Sequence, residues 1–267
     1  MGRALRWVGV IGGSVVALLP GCSSGTVRIS YRPAVGDVVV YRTSVQAVTV
    51  TQIGDAAARR RVTSSVLTAR HRVLASGPDG ARVEVRLEQG EAPPATFVVR
   101  FDRVGQLVEV QRIEGLPADV LGDLGLSQVL PAAAAAPPRR PLAPGETWKI
   151  DEPVEVAAGS PATRLTGTGR LVALAVADGR RVARVDSSYR LPVRQTAADT
   201  EGRLALDGSL DTRARVSYDL DDHEVHGVRA TSTGHYAVTL LPPAGVTGVA
   251  VPGTIDVEVS ATSRRVG

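Results

Sequence analysis

Apolar and polar residues alternate along most of this chain. The stretches Arg82–Glu88 (RVEVRLE), Gln106–Glu114 (QLVEVQRIE), Arg170–Val176 (RLVALAV), Arg213–Leu220 (RARVSYDL) and Thr254–Ala261 (TIDVEVSA) each place apolar side chains at every second position. A period of two is the signature of a strand with one face buried and one wet, so the chain is read as mainly β. Turn signals separate the runs: Gly77-Pro-Asp-Gly80, Asp178-Gly179 and Asp207-Gly208. Asp-Gly tolerates the positive φ angles of tight hairpins, which makes most of these strands antiparallel neighbours.

One segment departs from the alternation. In Gly115–Leu130, Pro117 stands where a first helical turn accepts it, and Leu116, Val120, Leu121 and Leu124 recur at helical spacing. The spacing predicts one short amphipathic helix. The Pro/Ala-rich run that follows, from Pro131 to Gly145, reads as an exposed linker.

The strand patterns on the two sides of this linker resemble each other. Ala34–Val45 matches Ala143–Val154, Arg72–Val85 matches Leu171–Arg184, and Val98–Val110 matches Ala214–Gly227, at offsets of 109, 99 and 117 residues. Three matches in the same order point to a duplication, with insertions falling between strands. The expected architecture is two tandem, related antiparallel β units, as curved sheets or a half-barrel, with one short helix. The expected boundaries are a signal peptide at 1–21, a lipidated tether at 22–30, a first unit at 31–130, the linker at 131–142 and a second unit at 143–267.

The N-terminus explains the lone cysteine. Arg3 and Arg6 precede an uncharged run from Trp7 to Leu19, the layout of a secretory signal and too short for a spanning helix. It ends in Leu19-Pro20-Gly21-Cys22, which resembles the bacterial lipobox. That resemblance implies cleavage before Cys22 and diacylglycerol on its sulfur, with Cys22 as the lipidation site. Two acyl chains hold a domain to a bilayer where one is marginal. Ser23 at the next position is compatible, in lipoproteins of Gram-negative type, with outer-membrane sorting. The expected location is therefore the cell membrane or the outer membrane, lipid-anchored and extracytoplasmic.

Composition then narrows function. Cleavage before Cys22 leaves 246 of the 267 residues and lowers the net charge from +4 to +2, since Arg3 and Arg6 leave. The basic residues are nearly all arginine, with Lys149 the single lysine and no asparagine in the chain, a bias of G+C-rich coding rather than of nucleic-acid binding. Arg59-Arg60-Arg61 is the longest basic run, and no nucleic-acid partner is expected.

The chemistry-bearing residues assemble into no catalytic set. Gly-x-Ser-x-Gly, Ser-x-x-Lys and a phosphate-binding glycine loop are all absent. The histidines are His71, His223, His226 and His235, and the densest polar group is Asp219–Gly227 (DLDDHEVHG). On an extended strand His223 and His226 point to opposite faces, and a calcium loop starting at Asp219 has Glu224 where glycine is needed. The cluster reads as a solvated hairpin turn, with no metal, no cofactor and no enzymatic activity. Trp148, the only tryptophan beyond the signal, reads as a core anchor.

The stretch Ala143–Ile150 (APGETWKI) looks like strand openings in uncharacterised bacterial envelope lipoproteins. A more distant architectural likeness is to LolA/LppX-type lipid carriers, where a curved antiparallel sheet and helices enclose a cavity for acyl chains. These resemblances imply a non-enzymatic envelope scaffold or interaction module. The alternative they imply is a carrier of a lipid or other hydrophobic ligand, whose partners are the membrane, that ligand or an envelope protein.

Overall fold

The computed structural model describes residues 25–90, 93–105, 107–114, 137–154, 163–177, 179–198, 203–242 and 248–266. Cys22 and the segment Gly115–Leu130 expected to be helical lie outside these residues. All the regular structure described is strand: β1 (Val38–Ile53), β2 (Arg59–Gly77), β3 (Gly80–Glu88), β4 (Ala95–Asp102), β5 (Leu107–Glu114), β6 (Thr147–Val154), β7 (Thr163–Ala177), β8 (Arg180–Ala198), β9 (Arg203–Asp219), β10 (Glu224–Leu241) and β11 (Val251–Arg265).

These form one antiparallel sheet of eleven strands in the order β5-β4-β3-β2-β1-β11-β10-β9-β8-β7-β6. Two meanders therefore meet in the middle, where β1 pairs with β11 from Tyr41↔Arg265 to Ile53↔Gly253. β5 and β6 are the edges.

The alternation read from the sequence settles which face is buried. In β3, Ala81, Val83, Val85 and Leu87 are buried while Arg82, Arg86 and Glu88 are exposed. β4 adds Phe97, Val99 and Phe101, β8 adds Ala183 and Val185, and β9 adds Val216 and Tyr218, all in one apolar cluster. The opposite face carries charges paired across strands, Arg190 with Asp211, Arg194 with Asp207 and Arg215 with Asp186. Such exposed pairs add little stability singly.

The sheet is strongly curled. Gly105, after β4, and Val225, in β10, are separated by five strand spacings, close to 24 Å on a flat sheet at ~4.8 Å each. A Cβ on Gly105 would nevertheless lie 3.2 Å from the Val225 side chain. The Tyr41 hydroxyl likewise donates a 2.7 Å hydrogen bond to the Val225 carbonyl, past the intervening β11.

The N-terminal segment closes this end. Val27 forms an isolated antiparallel bridge with Leu142, the Tyr31 amide donates to the Arg103 carbonyl at 2.6 Å, and the Arg32 amide donates to the His223 carbonyl at 2.8 Å. Ile29 is 1% exposed and Tyr31 packs edge-on against Phe101 with ring centroids 5.5 Å apart. Residues expected to be free tether are a plug. The end of the expected exposed linker is buried too, since Pro137 accepts a hydrogen bond from Arg103 and Leu142 is fully buried. Every described strand and core residue lies at or after Val27, so a chain beginning at Ser23 keeps them all.

One expected turn is not a turn. Asp207-Gly208 lies inside β9, where a Cβ on Gly208 would meet the His235 carbonyl at 2.1 Å and the Tyr236 ring at 2.9 Å. This glycine makes room for a neighbouring strand and its aromatic ring, which is the other use of glycine in sheets. Near the middle of the sheet Thr43 donates to Ser263 at 2.9 Å, both buried. Thr43→Val leaves Ser263 without that donor, and a chemical-denaturation curve should show a loss of about 1–2 kcal/mol.

Candidate functional site

The inner face continues well beyond the packed end. β10 has 18 residues, which is about 60 Å of strand at ~3.3 Å per residue. The large buried aromatics and leucines occupy only the half near the plug. That half is filled, because the crevice among Tyr31, Tyr41, His71, Phe101, Gly105 and Val225 holds no room for a water molecule.

In the far half the register places Val45, Ala47 and Thr49 of β1 beside Ala261, Val259 and Val257 of β11. Next to them come Ala230, Ser232, Tyr236 and Val238 of β10, then Leu210 and Leu206 of β9, then Tyr189, Leu191 and Val193 of β8. Leu206, Leu210, Tyr236, Ile255 and Val257 are half-buried, and Leu240 and Val251 at the tip are each 38% exposed. A continuous apolar strip thus runs from the core to the rim.

Trp148 belongs to the filled half. It is 9% exposed, and a Cβ on Gly169 would sit 2.3 Å from its indole ring, so the ring lies flat on the β7 backbone. This bears out its reading as a core anchor.

The polar group at Asp219–Gly227 is the β9–β10 hairpin, and it is more buried than a solvated turn. Asp219 and Glu224 are 1% and 3% exposed. Asp219 Oδ1 accepts the amides of Asp221 and Asp222 at 2.9 and 3.0 Å, and His223 takes a positive φ of 56°. His223 Nδ1 meets Ser30 Oγ of the plug at 3.0 Å. His223 is thus in the turn itself and His226 is the extra residue of a bulge at the start of β10, so the two do not converge.

Two arginines from distant parts of the chain complete this cluster. Arg180 pairs with Asp219 at 2.9 Å and with Asp222, and Arg265 pairs with Asp222 at 3.0 Å and with Glu224 at 2.8 Å. The Arg265–Glu224 contact is an ion pair whose geometry does not meet that of a hydrogen bond. Burial raises the Glu224 carboxyl to about 7, with Asp222, Asp37 and Asp219 pushing the same way and Arg265 opposing. Asp222, Glu224 and Arg265 of this group line a cleft of 460 Å³ together with Arg32, Asp37 and His223.

Glu224 stands inside the polar run visible in the sequence, but Arg265 is 41 positions away. Only the pairing of β10 with β11, Gly227↔Arg264, brings them together.

The other histidines are apart. His71 is buried between Tyr41 and Phe101, and burial lowers it to about 3. His235 is exposed on the outer face, 2.5 Å from Asp256. Among the described residues no group of three or more His, Cys, Asp or Glu side chains is arranged to hold a metal ion, and no helix is long and apolar enough to cross a membrane. No family model matches the sequence, and no curated protein matches it.

Proposed function

We propose that this protein is a lipid-anchored, extracytoplasmic binding protein of the cell envelope, without enzymatic turnover, whose working surface is the far half of the inner face. Its ligand is hydrophobic, an acyl chain or similar lipid. The observation that carries this reading is the apolar strip that runs past the filled core to the rim. Val238 and Val259 of this strip are buried, but the described residues leave Leu206, Leu210, Tyr236, Ile255 and Val257 only half-covered and Leu240 and Val251 exposed, and exposed apolar area is a cost unless something is bound there.

The anchor is the lipobox cysteine, Cys22. Only Ser23–Thr26 separate it from the pinned Val27, so Val27 and the plug end are held within about 18 Å of the bilayer surface at ~3.6 Å per residue. Cys22→Ser should abolish incorporation of labelled fatty acid and release the protein from the membrane fraction.

We also read the sheet as two related meanders. Gly36 and Gly145 donate to the carbonyls of Val73 and Leu171 at 2.9 and 2.7 Å, and the Val73 and Leu171 amides return bonds to Asp37 and Glu146 at 3.0 and 2.9 Å. Asp37 and Glu146 each accept the amide three residues earlier, from Ala34 and Ala143. The first residue of each bulge follows the same rule, with register shifts after Val73 and after Leu171. Asp102 and Asp219 cap the two later hairpins alike. A duplicated unit accounts for all four coincidences, and repetition of one half-sheet yields an inner face long enough to hold a chain-like ligand.

A second reading, a scaffold that receives an apolar segment of an envelope protein, is favoured by the edge at β6, whose Thr147–Val154 pairs on one side only among the described residues. Native mass spectrometry of the chain from Ser23, before and after organic extraction, separates the two. The expected result is an adduct of lipid mass that leaves on extraction and is lost in Leu210→Glu. A bare polypeptide that also fails to take up a fluorescent fatty acid would sink the lipid reading and favour the scaffold.

A further inference from the structure

The tip at the far end of the sheet combines two features that the binding reading leaves unused. Arg59, Arg60 and Arg61 open β2 there, opposite Thr51, Val50 and Thr49, and all three are exposed. No carboxylate lies within ion-pair distance of any of them among the described residues, in contrast to Arg190, Arg194 and Arg215, which face acids across the strands. The one acid in the adjoining turn is Asp55, so the tip of the hairpin, from Thr49 to Arg61, carries a net charge of +2.

Beside this hairpin stands the β10–β11 tip, tied to it by the Gly54 amide donating to the Pro252 carbonyl at 2.7 Å. It presents Val249, 89% exposed, and Val251, 38% exposed. Apolar side chains at that exposure on the rim of a sheet are not used in folding. Unpaired arginines next to them form a surface with positive charge at one level and methyl groups at another.

We infer that this tip docks on an anionic lipid bilayer. The arginines meet the headgroup phosphates and the valines enter the layer below, which is the depth arrangement that interfacial binding rewards. An acidic protein would satisfy the arginines but give the valines nothing. The apolar inner face opens at the same tip, so a hydrophobic ligand could pass between bilayer and sheet without crossing water. The tip lies at the opposite end of the sheet from the plug and Val27. The inference stands on the tip's own residues and needs neither the anchor nor the ligand to hold.

The test is co-sedimentation of the chain from Ser23 with phosphatidylcholine vesicles, with and without phosphatidylglycerol. Binding is expected only to the anionic vesicles, and it should weaken with salt. The triple variant Arg59→Ser, Arg60→Ser, Arg61→Ser should lose about a hundredfold in affinity, since each arginine near an anionic surface contributes roughly fivefold. Val249→Asp with Val251→Asp should also reduce binding, with an unchanged melting curve in both variants. No binding to either vesicle, or binding that the arginine variant leaves intact, overturns the inference. So does capture of polyglutamate as tight as that of the vesicles with no effect of the valine changes, which would assign the tip to an acidic protein.

Discussion

Glu224→Gln should remove the alkaline limb of the stability profile. In the wild type, burial raises this carboxyl to about 7. An acid raised in the folded state contributes stability that is present below its unfolded value, near 4.5, and that is lost as pH rises through 7. A shift from 4.5 to about 7 corresponds to about 3 kcal/mol at the alkaline end, or roughly 10 °C in Tm for a chain of this size.

The charge count around Glu224 points the same way. Asp219, Asp222 and Glu224 face Arg180 and Arg265, with Asp37 across the cleft, Arg32 on its wall, and the hydroxyls of Tyr31 and Tyr41 close by. Three clustered carboxylates against two guanidinium groups leave one negative charge in excess, and the buried acid takes up the proton that balances it. Glutamine keeps the shape and the neutral state at every pH. His71 acts at the other end of the scale. It is held neutral by burial, so its contribution is present above its ordinary value near 6.5 and is lost as pH falls toward about 3. The two effects offset between about pH 4.5 and 6.5, so wild-type stability should be level there and fall on the acid side, while a series of thermal melts should show Glu224→Gln gaining stability up to about pH 6.5 and level above it, with its acid limb retained. An equal change in stability between about pH 4.5 and about pH 9 in the wild type and in Glu224→Gln would show that Glu224 ionises without cost.

Much of this fold is written locally, and the parts that are not share one cause. The strands at Arg82–Glu88 and Thr254–Ala261 follow from alternation alone, because an antiparallel sheet with one wet face imposes that period. The hairpin at Gly77–Gly80 follows from its turn residues. Asp207-Gly208 has the same signature and a different use, since Gly208 answers to Tyr236 on the next strand, 28 positions away. Glu224 and Arg265 meet through strand register, and the union of β1 with β11 joins residues more than 200 positions apart. Nothing in a window of sequence encodes such pairings. The extent of the inner face was legible as alternation. Which part of it is core and which is open depends on how tightly the sheet curls, and that is set by contacts such as Tyr41 with Val225.

Tyr31→Ala and Ile29→Asp should be among the most damaging single changes in the protein, although Ile29 falls where the sequence suggests a tether and Tyr31 directly after it. Ile29 is 1% exposed and Tyr31 is 7% exposed, against Phe101 and the β4–β5 and β9–β10 turns. Truncating a buried aromatic costs about 3–5 kcal/mol, and placing an unpaired carboxylate at Ile29 costs at least as much. Denaturation of Tyr31→Ala should lose that amount, and Ile29→Asp should be poorly folded or unfolded at room temperature. A loss under 1 kcal/mol in Tyr31→Ala would show that the segment is an appendage after all. If the loss is as large as expected, anchor and fold are mechanically continuous. Under the proposed lipidation of Cys22, any force on the lipid would then reach the packed end within a few residues, through Val27 against Leu142 and Arg32 against His223. The His223 turn is also where Glu224 begins β10. Seating of the plug and protonation of Glu224 should therefore be coupled, and the Tyr31→Ala variant should show a weaker alkaline limb than the wild type, because a loosened plug lets water reach the carboxyl and lowers its proton affinity.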